Sequence, residues 1–226
     1  AGVRIDLSNH IAKSIKKDHS GIGKDILQDI ENITSGDYND YLVGNVSDNI
    51  IDGKSGSDTM IGLAGNDTYY ADGSKDKIIE ARNAGNDSII TSLSYYALGR
   101  NVENLTYNGN YSFTGRGNSY SNTITGGDSS DIILGMKGAD MLRGNGGRDV
   151  FKFFSGDSHI NYSSPESSYD TIVDFAFGDV IDYAKALKLG GSSALATNSQ
   201  ASIDQNSYKA SFASGEGTTL TDALGD

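Results

Sequence analysis

Ten Asp or Asn residues recur at a fixed spacing, and they are the residues here with chemistry to offer. The series is Asp40, Asn49, Asp58, Asp67, Asp76 and Asp87, then after a gap Asn122, Asp131, Asp140 and Asp149. Within each run the step is nine residues, except for eleven between Asp76 and Asp87. If every second unit stacks on the one before, an acid at i lies beside one at i+18. The pairs are then Asp40/Asp58, Asn49/Asp67, Asp58/Asp76, Asn122/Asp140 and Asp131/Asp149, with Asp67/Asp87 two residues longer. Carboxylates at strand spacing repel unless a cation lies between them. Calcium fits best: it is hard, takes six to eight oxygens and accepts backbone carbonyls as readily as carboxylates. Magnesium demands stricter geometry and keeps its water. No His or Cys lies near these loops, which argues against zinc and copper. Asp and Asn are also ordinary turn formers, but ten copies in phase are hard to explain that way.

The elements that position these residues follow from the same period. The nonamers are SGDYNDYLV (35–43), GNVSDNIID (44–52), GKSGSDTMI (53–61), GLAGNDTYY (62–70) and ADGSKDKII (71–79), followed by the stretched EARNAGNDSII (80–90). A second block reads GNSYSNTIT (117–125), GGDSSDIIL (126–134), GMKGADMLR (135–143) and GNGGRDVFK (144–152). The eighth position is apolar throughout: Leu42, Ile51, Met60, Tyr69, Ile78, Ile89, Ile124, Ile133, Leu142 and Phe151. Six turn-forming residues and a three-residue strand make half a coil, and two halves make a coil of 18 residues. One coil cannot bury its own core, so coils must stack. Glycines give the loop the backbone angles needed to aim carbonyls at an ion.

Composition agrees. Of 226 residues, 72 are Gly, Asp or Asn, and the net charge is -12. The acid is almost all Asp, with only 5 Glu, whereas a solvated helical surface would favour Glu. The acidity disfavours nucleic acid and an anionic membrane surface. Disorder is opposed by 36% hydrophobic residues, 13 Tyr and 7 Phe. With no Cys, disulfides and thiolate metal sites are excluded. No 18-residue apolar run suggests a transmembrane segment. AGVRIDLSNH lacks the apolar region of a signal peptide and reads like the interior of a longer chain.

The nonamers resemble the repeats-in-toxin (RTX) family, with its consensus GGxGxDxUx, where U is large and apolar. GLAGNDTYY and GMKGADMLR match closely; GNVSDNIID and ADGSKDKII match loosely. The resemblance implies an all-β fold: a right-handed parallel β-roll (β-solenoid) with 18-residue coils and a C-terminal cap. It implies side-chain ligands at Asp58, Asp67, Asp76, Asp131, Asp140 and Asp149, and carbonyl ligands at Gly56, Gly65, Gly127, Gly138 and Gly147. Asn49 and Asn122 stand where the family has Asp, which implies weaker or empty sites. With Asp40 and Asp87 completing the pairs, about six Ca2+ ions are expected. Residues 150–185 look like the cap that follows the roll in secreted RTX proteases, lipases and alginate epimerases. Asp157 and Asp170 match that cap's calcium-holding acids, and Asp174, Asp179 and Asp182 fit its closing strand pair.

The expected organisation is degenerate opening coils at 1–34, with Asp25 at an Asp position; repeat block 1 at 35–90; calcium-free spacer coils at 91–116; repeat block 2 at 117–154; the cap at 155–190; and at 191–226 the start of a truncated tail, with Thr219 or Thr221 capping a helix. Lys13, Lys16 and Lys17 read as a solvated loop. His10, His19 and His159 lack catalytic neighbours, and neither HExxH nor GxSxG occurs, so no enzyme is expected. The resemblance implies a non-catalytic calcium-binding module of a larger secreted or cell-surface-associated protein such as an adhesin. It would be exported unfolded by type I secretion machinery and would fold on meeting calcium. The alternatives are a polysaccharide-binding accessory module, with Arg82, Arg100, Arg116, Arg143 and Arg148 as its cations, and a surface-layer structural module.

Overall fold

A computed structural model describes residues 1–15, 23–154, 157, 170–182, 202–204 and 209–212. The readings made for Lys16, Lys17, His19 and His159, for most of the cap and for nearly all of the tail lie outside the described residues. These hold twenty-one short strands and no helix, and the chain divides into two units, 1–93 with 98–109, and 94–97 with 110–226. Each is a parallel β-solenoid.

The first unit contains β1 (Val3–Asp6), β2 (Ile11–Ser14), β3 (Asp25–Ile26), β4 (Asn32–Thr34), β5 (Tyr41–Val43), β6 (Ile50–Asp52), β7 (Thr59–Ile61), β8 (Thr68–Ala71), β9 (Lys77–Ile79), β10 (Ser88–Thr91) and β12 (Asn104–Tyr107). Strands from alternate nonamers pair in parallel on two faces. On one, Leu42, Met60 and Ile78 are in register at 18-residue steps. On the other, Ile33, Ile51, Tyr69, Ile89 and Leu105 are in register. The step from Tyr69 to Ile89 is 20 residues and the step from Ile89 to Leu105 is 16. The two extra residues before Asp87 are thus compensated one coil later, and the eighth-position residues stay in one row. Leu42, Ile51, Met60 and Tyr69 are wholly buried, and each is worth about 1.5–3 kcal/mol of transfer free energy.

Within the opening coils expected at 1–34, β4 stacks in parallel on β6, while the chain before it follows a different course. β1 pairs in parallel with β5, placing Ile5 beside Leu42, but β1, β2 and β3 form an antiparallel meander. A tight turn is responsible. His10 takes a left-handed φ of 57° and donates its N–H to the Leu7 carbonyl at 3.1 Å, while Asp6 Oδ1 accepts the Asn9 N–H at 3.1 Å. The chain reverses there instead of running on into a coil. Asp25 is exposed on β3.

The second unit contains β11 (Tyr95–Ala97), β13 (Thr114–Arg116), β14 (Thr123–Thr125), β15 (Ile132–Leu134), β16 (Met141–Arg143), β17 (Val150–Lys152), β18 (Asp170–Ile172), β19 (Val180–Asp182), β20 (Ser202–Asp204) and β21 (Lys209–Phe212). Tyr96, Gly115, Ile133, Phe151 and Ile181 form one row, and Ile124, Leu142 and Ile172 the other. Beyond β18 the pairing turns antiparallel, through β21 to β20, covering a parallel edge that would otherwise be open to further strands.

One coil without an Asp keeps its core by an exchange of positions. Phe113 stands where the repeats place Asp, and it is buried at 1% exposure. Gly115 occupies the apolar eighth position, and a Cβ there would lie 2.6 Å from the Phe113 ring. The ring fills the space that the glycine vacates, so this coil packs with apolar bulk where others place a carboxylate.

Candidate metal centre

The sixth-position acids are interior groups. Asp58, Asp67, Asp87, Asp131, Asp140, Asp149 and Asp170 are at most 1% exposed, and Asp40, Asn49, Asn122 and Asp157 are also buried. Their first task is mechanical. In most of the Asp residues, one oxygen accepts the backbone N–H of the residue at the sixth position of the preceding coil. Asp58 accepts from Asp40 at 2.8 Å, Asp67 from Asn49 at 2.7 Å, Asp76 from Asp58 at 3.0 Å and Asp87 from Asp67 at 2.8 Å. In the second unit Asp131 accepts from Phe113 at 2.8 Å, Asp140 from Asn122 at 2.7 Å, Asp149 from Asp131 at 2.8 Å, and Asp170 and Asp179 continue the two ladders at 2.9 Å. Charge-assisted bonds of this kind are stronger than neutral ones.

The second oxygen divides the acids into two sets. In one, a donor four residues earlier in the same loop caps it: Gly127 N–H to Asp131 at 2.6 Å, with a longer 3.4 Å contact from Gly36 N–H to Asp40; Asn49 and Asn122 take the same cap, from the Asn45 and Asn118 N–H at 2.8 Å, on their single amide oxygen. Asp76 is capped from Gly73 at 2.8 Å and Asp157 from Phe154 at 2.6 Å. We call these loops closed. In the other set, Oδ2 of Asp58, Asp67, Asp87, Asp140 and Asp149 is buried with no hydrogen-bond partner among the described residues. Four residues before them stand Lys54, Leu63, Asn83, Met136 and Asn145, and each has a left-handed φ between 55° and 85°. None of the residues four before a closed-loop acid does. The loop is opened where the residue at i−4 turns left-handed and its N–H no longer reaches the carboxylate.

An open loop is costly without an ion. A left-handed residue other than glycine is strained by about 1–2 kcal/mol, and a buried acceptor without a partner costs about 1–3 kcal/mol or more when charged. Burial pushes the carboxyls of Asp58, Asp67 and Asp149 up to about 6. It also raises Asp87, Asp131 and Asp157. Asp140 is raised by burial and then by the charges of Asp170 and Asp157. Five unpartnered carboxylate oxygens without nitrogen or sulfur donors make a hard, all-oxygen donor set suited to calcium. Glycines leave room for it. A Cβ on Gly53, Gly62, Gly135 or Gly144 would strike the free Oδ2 of Asp58, Asp67, Asp140 or Asp149.

Gly56, Gly65, Gly138 and Gly147 lie inside the open loops, where coils approach most closely. At Gly138 (φ 134°) a Cβ would sit 2.5 Å from the Tyr120 carbonyl oxygen, and at Gly147 (φ 111°) 2.6 Å from the Ser129 carbonyl carbon. Gly127 belongs to a closed loop; its N–H caps Asp131 and its carbonyl accepts the Gly146 N–H at 3.2 Å. Of the arginines, Arg148 bonds the Gly178 carbonyl at 3.3 Å and Arg143 approaches Asp174 at 4.0 Å.

Two acids escaped the sequence pattern. Glu103 Oε2 accepts the Asp87 N–H at 2.8 Å and so serves as a ladder rung. Glu80 lies in the stretched loop and is buried beside Asp67 and Asp87. It accepts from the Tyr69 hydroxyl, and burial pushes its carboxyl up to about 7. The signal for both was a departure from the 18-residue step.

Comparison with protein-family models finds four copies of the RTX calcium-binding nonapeptide repeat, at residues 25–60, 34–69, 43–78 and 116–151. Comparison with curated proteins gives no match.

Proposed function

Residues 25–78 and 116–151 carry RTX calcium-binding nonapeptide repeats, and from that premise we propose that this chain is a non-catalytic module whose folding is driven by calcium, within a larger exported protein such as an adhesin. The observation that carries the reading is the set of five buried carboxylate oxygens without partners, each in a loop opened by a left-handed residue. Calcium would take Oδ2 of Asp58, Asp67, Asp87, Asp140 and Asp149, while Oδ1 holds the neighbouring coil. The closed loops of Asp40, Asn49, Asp76, Asn122, Asp131 and Asp157 would act as rungs of the stack and not as primary ion sites.

The mechanism follows from charge. At low calcium the -12 chain must bury unpaired carboxylates in order to stack, and it stays unfolded. That state suits passage through a type I secretion channel. At the millimolar calcium found outside cells the ions occupy the open loops, and binding free energy becomes folding free energy. The function is then structural, a rigid segment assembled after export. Far-ultraviolet circular dichroism across a calcium titration tests this. A steep, cooperative gain of strand signal is expected, and identical spectra in EGTA and in millimolar calcium would reject it.

A further inference from the structure

The stretched loop before Asp87 breaks the repeat in a particular way. It adds two residues, Glu80 and Ala81, ahead of the six that lead to Asp87. The following coil is shorter by the same number, so the row Tyr69–Ile89–Leu105 is undisturbed. The addition therefore serves the loop and not the stack. It brings a third carboxylate beside two that the period already places together. One oxygen each of Asp67, Glu80 and Asp87 lies within 4.8 Å of the others, and all three residues are buried.

Asp67 and Asp87 are 1% and 0% exposed, and each has an Oδ2 without a hydrogen-bond partner among the described residues. Glu80 is held in place from two sides. The hydroxyl of Tyr69, a wholly buried core residue, donates to Oε1, and the Ala81 N–H donates to Oε2 at 3.2 Å. The Asn101 side chain fixes the Glu80 carbonyl at 3.0 Å. The charges that face Glu80 are those of Asp87 and Asp67, both of its own sign. Three buried groups of like charge packed together call for a counter-ion.

We propose that Asp67, Glu80 and Asp87 together form a three-carboxylate calcium centre that binds more tightly than the open loops with a single free carboxylate. This rests on the calcium reading given above. Ligand charge and site rigidity are what set the affinity of an all-oxygen calcium site. This centre has one more charge than a pair of repeat acids and a glutamate pre-positioned by a core tyrosine. It would fill first on a rising calcium gradient and would nucleate the first unit.

Isothermal titration of the whole chain with calcium chloride separates the outcomes. The wild type is expected to show one tight phase ahead of weaker ones. Glu80→Gln should weaken that tight phase by about tenfold or more and leave the later phases in place. Asp149→Asn, in the second unit, should leave the tight phase intact and remove a weaker one. If the wild type takes up no calcium, the functional reading itself fails. If it binds calcium and Glu80→Gln titrates as the wild type does, the three-carboxylate centre is rejected and the reading stands. Should Glu80→Gln not fold, wild-type crystals grown with calcium decide. An ion at about 2.3–2.6 Å from all three carboxylates supports the centre. An ion that leaves Glu80 unligated, or no ion there, overturns it.

Discussion

Asp149→Asn and Asp131→Asn make the same chemical change in neighbouring coils, and the structure predicts different consequences. Asp149 Oδ1 accepts the Asp131 N–H at 2.8 Å, and its Oδ2 has no partner. Asparagine keeps the accepting oxygen and removes the charge, so the rung survives while the ion site is lost. Extrapolated to zero calcium, the substitution should be neutral or stabilise by about 1 kcal/mol, because a buried unpaired charge disappears. In calcium at about 100 times the dissociation constant, loss of one ion costs about 2.7 kcal/mol. In Asp131 both oxygens are used, one by the Phe113 N–H and the other by the Gly127 N–H at 2.6 Å. An asparagine amide would set a donor against one of these donors, at a cost of about 1–3 kcal/mol at any calcium level. Urea unfolding followed by circular dichroism at a series of free calcium concentrations reads both effects. Plotted against the logarithm of calcium, stability of the wild type should rise with a slope set by the number of ions linked to folding. Asp149→Asn should lower that slope by one ion, and Asp131→Asn should run parallel to the wild type and below it. If Asp149→Asn runs parallel to the wild type, the distinction between open and closed loops is wrong.

Met136 holds a φ of 74°, so Met136→Gly should raise the melting temperature, by about 1 kcal/mol in stability, without changing calcium stoichiometry. Gly144→Ala would drive a methyl group into Asp149 Oδ2, and calorimetry should show one calcium phase weakened or missing. Without calcium, any folded population present at about pH 4 should be lost as pH rises to about 6. Burial raises the carboxyls of Asp58, Asp67 and Asp149 from 3.8 to about 6, so the calcium-free folded state holds protons that the unfolded chain has released. With saturating calcium the dependence should reverse, because the ion needs the ionised form; far-ultraviolet circular dichroism across this range in EGTA and in calcium compares the two.

Much of the fold was legible because two periods coincide. Nine residues between acids and nine between apolar positions leave little besides a stacked coil, and the row from Ile51 through Tyr69 and Ile89 follows. The i, i+18 pairing was legible too, but as repulsion alone. Residue type does not reveal that one carboxylate oxygen bonds the preceding coil's backbone, since a hydrogen bond to a main-chain N–H leaves no mark on the sequence of the donor. Open and closed loops were equally hidden. Asn83 and Asn145 open their loops, whereas Asn45 and Asn118 close theirs, so one side chain is found in both states. The antiparallel start was concealed because VRID has the pattern of any strand, and the turn at His10 decides its neighbour.

The scarcity of glutamate now has a geometric reason. At an 18-residue step, the Asp side chain reaches the preceding coil's N–H with one oxygen while the other stays under the glycine that begins its loop. One more methylene would push the second oxygen out of that space. Glutamate enters the ladder where the step changes. Glu103 reaches the Asp87 N–H across the 16-residue step, and Glu80 joins the acids where the step is 20. At these two positions side-chain length and coil length compensate each other. At Glu103 the departure supplies a rung without a repeat Asp. At Glu80 it adds a third carboxylate to two that are already unpartnered, and that is why the tightest ion is expected there and not in the most regular repeats.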